Sequence, residues 1–429
     1  MHRSFTCHRV GGNQWRARSA WAVLGATLVV AVAPACTTTE KKASSDKAST
    51  STSAVPTTEA GTKATGTPAR IGFTNAGTGA TALPQITEGA QLAADRINAH
   101  ENGINGHPID LVTCSTDGTP ESSAACANKL VAEKVVAVVD GADLGTDAKV
   151  PILKDAGIAT MGTSTLGTTQ SLSQDAFFFS PPATTYPAAE VDLAATIGAK
   201  KLTLLLPDVP QVPILAGIAD KQAALNNIEV KVVKFDQAAP DFDAALAAIV
   251  ADGSDAIATI ATDDWCNGMV RSAKSASFTG SLILGGCTQF VAVMGAKEAE
   301  GIYTLGSIWS PSSKNYAPAA AVTVIDQYTA AMDAAGKGKD VVSLTWGGYA
   351  GVAQVAGVLR TITGELTAPT VMAAMRSLKD APNAIGQTIT CDPRPYPGFS
   401  GCTEGWLQFR TQADGTSKPL TNEFVKPKS

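Results

Sequence analysis

Arg70-Ile71-Gly72-Phe73-Thr74 and, beyond a loop of small residues, Pro84 to Ala99 form the stretch whose reading decides the fold. The first piece is a short apolar run of strand length. In the second, Ile86, Ala90, Ala93, Ala94 and Ile97 recur at the 3.6-residue period, while Gln85, Glu88, Gln91 and Asp95 occupy the other face. A strand followed by a helix with one apolar stripe is the unit of a sheet covered by helices. The same alternation returns at Ile109 to Cys114, Val135 to Asp140, Ile158 to Met161, Lys201 to Leu206, Ile228 to Phe235, Asp255 to Ala261, Ser281 to Gly285 and Ile302 to Leu305. Most of these runs are continuously apolar, as parallel strands buried on both faces require, so the expected class is α/β.

The pattern breaks twice. Ser180-Pro181-Pro182 interrupts it before a fresh series begins at Lys201, and Trp309-Ser310-Pro311-Ser312-Ser313 precedes three helical stretches, roughly residues 316–335, 346–363 and 369–378. Those late helices have no strands of their own and must pack on a lobe already built. The expected organisation is therefore two lobes, residues 70–181 with 309–385 and residues 182–308 with 386–429, with a ligand cleft at the carboxyl ends of the strands.

Ahead of the folded part, residues 1–18 carry Arg3, Arg9, Arg16 and Arg18 and no acid, and an apolar stretch from Ala20 to Ala33 follows. This reads as a secretion signal of residues 1–35, too short to cross a bilayer at roughly 20 residues per span. Cys36 then stands where a bacterial lipoprotein is cleaved and lipidated, although Ala33-Pro34-Ala35 also suits ordinary cleavage. Residues 36–69, rich in Thr, Ser, Ala and Lys, make a flexible tether with little apolar surface to repay ordering. Loss of the signal leaves 29 basic against 38 acidic residues, a net charge of −9. Such a surface repels a nucleic-acid backbone and anionic lipid alike.

An exported chain meets oxidising conditions. Six cysteines remain after Cys7 and Cys36 are set aside, in three close couples: Cys114 with Cys126, Cys266 with Cys287 and Cys391 with Cys402. Neighbour pairing is expected, and no Cys-x-x-Cys supports a redox or metal role. Four histidines, two of them in the first ten residues, offer no metal-ligand spacing, so neither a metal nor a cofactor is expected. Gly77-Thr78-Gly79-Ala80-Thr81-Ala82 fits a weak dinucleotide fingerprint, but no acid closes a second strand about 20 residues on, and a small-residue loop at the cleft edge suffices.

The turns after strands carry the polar candidates. Thr163, Ser164 and Thr165 follow Ile158 to Met161 and offer hydroxyls and backbone N–H groups to a carboxylate; capping of the next turn is the structural alternative. Asp140-Gly141-Ala142-Asp143 ends another strand. Asp263, Asp264 and Trp265 could receive a cationic amine by charge-assisted hydrogen bonds and an aromatic face, or Asp263 could simply cap a helix.

Arg96-Ile97-Asn98-Ala99 and Asn102-Gly103-Ile104-Asn105-Gly106-His107-Pro108-Ile109 resemble the I-N-A-x-G-G-I-N-G-x-x-I signature of solute-binding proteins of branched-chain amino acid ABC importers, with Asn102 in place of the first glycine. The likeness extends over most of residues 70–410, through Lys129-Leu130-Val131, Tyr349 and Gly405 to Phe409. It implies a type I periplasmic-binding fold, two lobes joined by three crossovers. First-lobe hydroxyls and amides would receive a carboxylate, and second-lobe acids and aromatics an amine. Two positions depart from the pattern. Asp143 stands where members offer a serine, and an acid there would repel a carboxylate. Asp208 to Pro213 lacks the usual Tyr-Gly, so Trp265 or Trp309 would supply the aromatic wall.

The expected ligand contacts are Leu83, Ala142, Asp143, Thr163, Ser164, Thr165, Gln211, Asp263, Asp264, Trp265 and Trp309. The expected function is a non-enzymatic, monomeric lipoprotein that closes two lobes on a small polar solute and presents it to an ABC permease. An extracellular sensing module of the same fold is the alternative.

Overall fold

The computed structural model describes residues 61–79, 82–209, 211–287 and 289–428. The expected signal, Cys36 and most of the tether lie outside the described residues. From residue 69 the chain alternates as its pattern requires: β1 (Ala69–Ala76), α1 (Pro84–His100), β2 (Ile109–Thr116), α2 (Pro120–Ala132), β3 (Ala137–Asp140), α3 (Thr146–Asp155), β4 (Ala159–Gly162), α4 (Thr168–Leu172) and β5 (Ala176–Phe178). These strands make one parallel sheet in the order β2-β1-β3-β4-β5.

A second series follows: α5 (Tyr186–Thr196), β6 (Lys201–Pro207), α6 (Val212–Asn226), β7 (Glu229–Phe235), α7 (Phe242–Ala251), β8 (Ala256–Ile260), α8 (Asp263–Ser275), β9 (Ser281–Gly285), α9 (Phe290–Met294), α10 (Ala296–Ala299) and β10 (Tyr303–Gly306). After α11 (Ala319–Ala334), α12 (Thr345–Leu359) and α13 (Ala368–Arg376), the chain closes with β11 (Leu407–Thr411) and β12 (Ser417–Pro419). The second sheet runs β12-β11-β10-β9-β8-β6-β7, with β11 and β12 antiparallel and the rest parallel.

The α1 face read from periodicity is the buried one: Ile86, Ala90, Ala93, Ala94 and Ile97 all lie in the core. Its small side chains let α12 come very close. A methyl group on Gly89 would lie 1.8 Å from the Thr345 carbonyl oxygen, and one on Gly348 would lie 1.8 Å from that of Ile86. The three late helices pack where the strand-poor text required, their Ile325, Tyr328, Tyr349, Val355 and Val371 joining Ile71, Phe73 and Val139 of the first sheet in one core.

The Asn98 to Ile109 signature has a structural meaning. The Asn98 side chain brackets Ile109, donating to its carbonyl at 2.9 Å and accepting from its N–H at 2.6 Å. Asn105 donates to the Arg360 and Ile362 carbonyls beyond α12. Asn102 has φ of +58°, a left-handed conformation that asparagine tolerates better than other side chains, which explains how it stands in for glycine.

Three features were not anticipated. β5 lies just ahead of the Ser180-Pro181-Pro182 interruption, where no strand was expected, and β11 and β12 have no strong strand signal. The chain at Ser400 to Cys402, expected with the second lobe, pairs with β5: Phe178 N donates to the Ser400 carbonyl at 3.0 Å and Cys402 N to the Phe178 carbonyl at 2.7 Å. The three cysteine couples are bonded as expected. Among the described residues no helix is long and apolar enough to cross a membrane.

Candidate functional site

In open parallel sheets the strand carboxyl ends receive ligands, because the loops leaving them splay apart and backbone N–H groups open there. At the first sheet's end, Asn75 closes β1 and braces two loops. Its amide donates to the Leu83 carbonyl at 2.8 Å and to Thr87 Oγ1 at 3.1 Å, and its oxygen accepts from Ala142 N at 3.0 Å. Leu83 and Ala142 are thus held half-buried at the rim, by a residue the sequence reading had not singled out.

The turn after β4 presents its hydroxyls unequally. Ser164 is exposed. Thr163 donates to Gln354 Oε1 on α12 at 3.3 Å. Thr165 is only 3% exposed and Gln354 5%, yet Thr165 Oγ1 and Gln354 Nε2 have no hydrogen-bond partner among the described residues. Buried polar groups are nearly always paired, so two unspent ones around a single turn make it a candidate place for a solute. Gln354 was missed; its only signal is a lone amide in the otherwise apolar run Ala350 to Leu359.

Asp143 must be struck from the expected contacts. It is 0% exposed, and its carboxylate accepts from Thr116 Oγ1 at 2.9 Å, Ser123 Oγ at 2.6 Å, Gly145 N at 3.2 Å and Lys149 Nζ at 2.8 Å. Lys149, equally buried, also pairs with Asp140 at 2.6 Å and donates to Thr74 Oγ1 at 2.8 Å. Burial alone would raise Asp143, but Lys149 and the hydroxyl donors outweigh it and hold the carboxyl below its ordinary range. An acid so enclosed does not repel a solute carboxylate as an exposed one would.

Across the second sheet's carboxyl ends, Gln211 is exposed at the start of α6 and Asp264 is exposed in the first turn of α8. Asp263 is half-buried and accepts from Gln289 N at 2.8 Å, joining the loops that follow β8 and β9. The Cys266–Cys287 disulfide links the same two loops, with Cα atoms 6.4 Å apart. Trp309 forms no wall: it is 2% exposed and T-shaped against Phe409 at 6.0 Å, drawn inward by the area it buries. Trp265 stays half-buried, T-shaped against Phe235 at 5.3 Å beside the second-sheet core.

A further acid appears where none was sought. Glu190 on α5 is 0% exposed, and neither carboxylate oxygen has a hydrogen-bond partner among the described residues. Two hollows, one of about 740 Å³ lined by Asp208, Val212 and Lys234 at the end of β6 and the start of α6 and one of about 370 Å³ lined by Arg376 and Arg394, are lined by none of Thr165, Gln354 and Glu190.

Comparison with known proteins follows the same geometry. LivJ of Streptococcus pneumoniae, a branched-chain amino acid transporter substrate-binding protein in complex with isoleucine, superposes with a TM-score of 0.67 over 84% of this chain and 100% of its own, at 20% identity. A solute-binding protein of an R. palustris ABC transporter, in complex with benzoate, gives 0.64 over 84% and 97%, at 15% identity. A fatty acid ABC transporter substrate-binding protein from Thermomonospora curvata gives 0.67 over 86% and 94%, at 16% identity. No curated protein sequence matches. At these identities the structural likeness establishes the fold alone. The sequence model described as periplasmic binding protein matches residues 68–396, most of the chain, and the protein therefore belongs to that family, whose members bind solutes and are not enzymes.

Proposed function

We propose that the chain is the extracytoplasmic solute-binding component of an ABC importer, held at the outer face of the cytoplasmic membrane by a lipid on Cys36. Its two lobes, residues 70–181 with 309–385 and residues 182–308 with 386–429 less the segment 386–402, close on a small polar solute and deliver it to the permease. The observation that carries this reading is the pair of unspent polar groups, Thr165 Oγ1 and Gln354 Nε2, at the turn after β4. With exposed Ser164 they supply donors for a carboxylate or carboxamide, while Asp263 and Asp264 on the second lobe supply acceptors for an amine. A ligand touching both lobes shifts the open–closed equilibrium by its differential affinity for the closed form. Of the structural neighbours, one is in complex with isoleucine, one with benzoate, and one is the substrate-binding protein of a fatty acid transporter, so a carboxylate is common to the solutes they name.

Calorimetric titration of the mature protein with the twenty proteinogenic amino acids, small carboxylates and amides is expected to reveal at least one saturable solute. A folded protein that binds none of them defeats the proposal. Cys36→Ser should release the protein from the membrane fraction, and retention there would exclude the lipid anchor.

A further inference from the structure

The loops that leave β8 and β9 at the second sheet's carboxyl ends differ in what holds them. After β8, Ala261 and Thr262 lead straight into α8, a helix of 13 residues. After β9 the chain passes through Gly286, with φ of +78°, and Cys287 to α9, which has five residues; Gly295, with φ of +86°, then opens the four-residue α10. A helix so short is not stable by itself, because its first turn fixes several dihedral angles for one hydrogen bond. The loop after β9 must therefore take its shape from what it rests on.

It rests on the β8 loop and α8. Ala261 N donates to the Gly285 carbonyl at 3.1 Å, Gln289 N donates to Asp263 Oδ1 at 2.8 Å, and Cys266 of α8 is bonded to Cys287. The covalent tie is also the deepest: Cys266 is 0% exposed and Cys287 7%, in one core with Met269, Val270, Leu284 and Phe290. The other two bridges are placed differently. Cys114–Cys126 fastens α2 to β2, two regular elements at the edge of the first sheet, and Cys391–Cys402 closes a segment that pairs with β5. Neither joins two loops that leave neighbouring strands at their carboxyl ends.

We propose that the Cys266–Cys287 bridge is a positioning device of the solute site: it fixes the loop after β9 on α8, so that the second lobe meets the solute with that loop already shaped. The inference rests on the solute-binding reading and adds to it what keeps the second lobe's half of the site rigid. A solute that has to order a loop loses part of its binding free energy to that ordering, and a bridge that orders the loop beforehand removes the loss. A disulfide also stabilises a fold by constraining the unfolded chain, an effect that grows only slowly with the length closed. The bridged cysteines are 21 residues apart here and 12 and 11 apart in the other two, so that general effect is similar for all three. An effect on binding peculiar to Cys266–Cys287 separates positioning from stapling.

The test compares two paired variants of the mature protein, Cys266→Ala with Cys287→Ala and Cys114→Ala with Cys126→Ala. Each is titrated calorimetrically with a solute that the wild type binds among the amino acids, small carboxylates and amides, and followed by amide hydrogen exchange. The first pair should weaken affinity about tenfold or more and speed exchange at residues 289–294 in the free protein, with bound solute slowing it again. The second pair should lose stability to a similar extent yet bind within about twofold of wild type. If the first pair fails to fold, Gly286→Ala decides: a side chain at φ of +78° strains the same loop with the bridge intact, and affinity should fall. Unchanged affinity in the first pair, or in Gly286→Ala where that variant is the one measured, overturns the positioning role. So does an equal loss of affinity in both pairs, which is the mark of lost stability alone, or a loss in the first pair with exchange at residues 289–294 unchanged. In each of these cases the wild type still binds its solute and the solute-binding reading stands. A wild type that binds none of the solutes defeats that reading, and the positioning role with it.

Discussion

Asp143 beneath the first sheet's strand ends and Glu190 beneath the second's are both closed off from solvent, and the chain treats them oppositely. Around Asp143 it places an ammonium, two hydroxyls and a backbone N–H. Around Glu190, which lies against Gly285 of β9, it places no hydrogen-bond donor among the described residues. One acid is therefore ionised and part of the scaffold, and its role is to fix the loop that carries Ala142 beside Asn75. The other is pushed towards its neutral form by burial, and its hydrogen-bonding capacity is unspent. Burial alone does not reveal what a carboxylate does; the partners supplied with it do.

The contrast is most strongly tested by Lys149→Met. This change leaves Asp140 and Asp143 buried without their shared cation, and breaking a buried pair by removing one partner costs about 3 to 5 kcal/mol. Urea denaturation should show a loss of that order. A loss below about 1 kcal/mol would mean that the network around Lys149 is ornamental to the fold, and the comparison with Glu190 would fail on its first side.

The pH dependence of stability separates the two acids by sign. Asp143 is lowered in the folded state, so its contribution is fully present above the unfolded value of about 3.9 and is lost as pH falls through its folded pKa. Glu190 is raised, so it contributes nothing below the unfolded value of about 4.3. As pH climbs from there towards its folded pKa, the unfolded chain gives up a proton that the folded chain keeps, and stability declines. Urea midpoints across pH should accordingly form a dome. Asp143→Asn should flatten its acid limb and Glu190→Gln the limb that falls as pH rises. An unchanged upper limb in Glu190→Gln would show that this carboxyl is not held neutral.

These two acids also mark how far sequence carries the reading. Periodicity placed the α1 face correctly because Ile86, Ala90, Ala93, Ala94 and Ile97 are local to one helix, and the cysteine couples were legible because each joins neighbours in the chain. Asp143 was misplaced because its partners come from β2, α2 and α3, a convergence that only the folded sheet produces; as text it is an acid in a turn after a strand. Trp309 looked like an aromatic wall because it follows a strand, but its ring goes to Phe409, a hundred residues on. Glu190 and Gln354 were invisible for the opposite reason. Each is a polar letter in a mostly apolar helix, and what singles it out, a buried side-chain atom without a hydrogen-bond partner, is a property of three dimensions. Short β5 and antiparallel β11 and β12 are strands by virtue of the edges they complete, with little propensity of their own.

The smallest expected stability effect comes from Thr165→Val, and it sharpens the comparison at the level of a single oxygen. The Thr165 hydroxyl is buried as fully as the Asp143 carboxylate yet resembles Glu190 in having no partner. Valine keeps the branched shape and removes only the hydroxyl, so no hydrogen bond is lost and the cost of holding an unpaired polar group is relieved. Stability should stay within about 1 kcal/mol of wild type, on the stabilising side. If the hydroxyl is kept for a solute carboxylate, affinity should fall about tenfold in the same variant, the worth of a hydrogen bond to a charged group. A variant with lower stability and unchanged affinity would place Thr165 with Asp143 among the residues that hold the loops. A variant as stable as wild type that binds poorly would place it among the groups whose partner arrives from outside the chain.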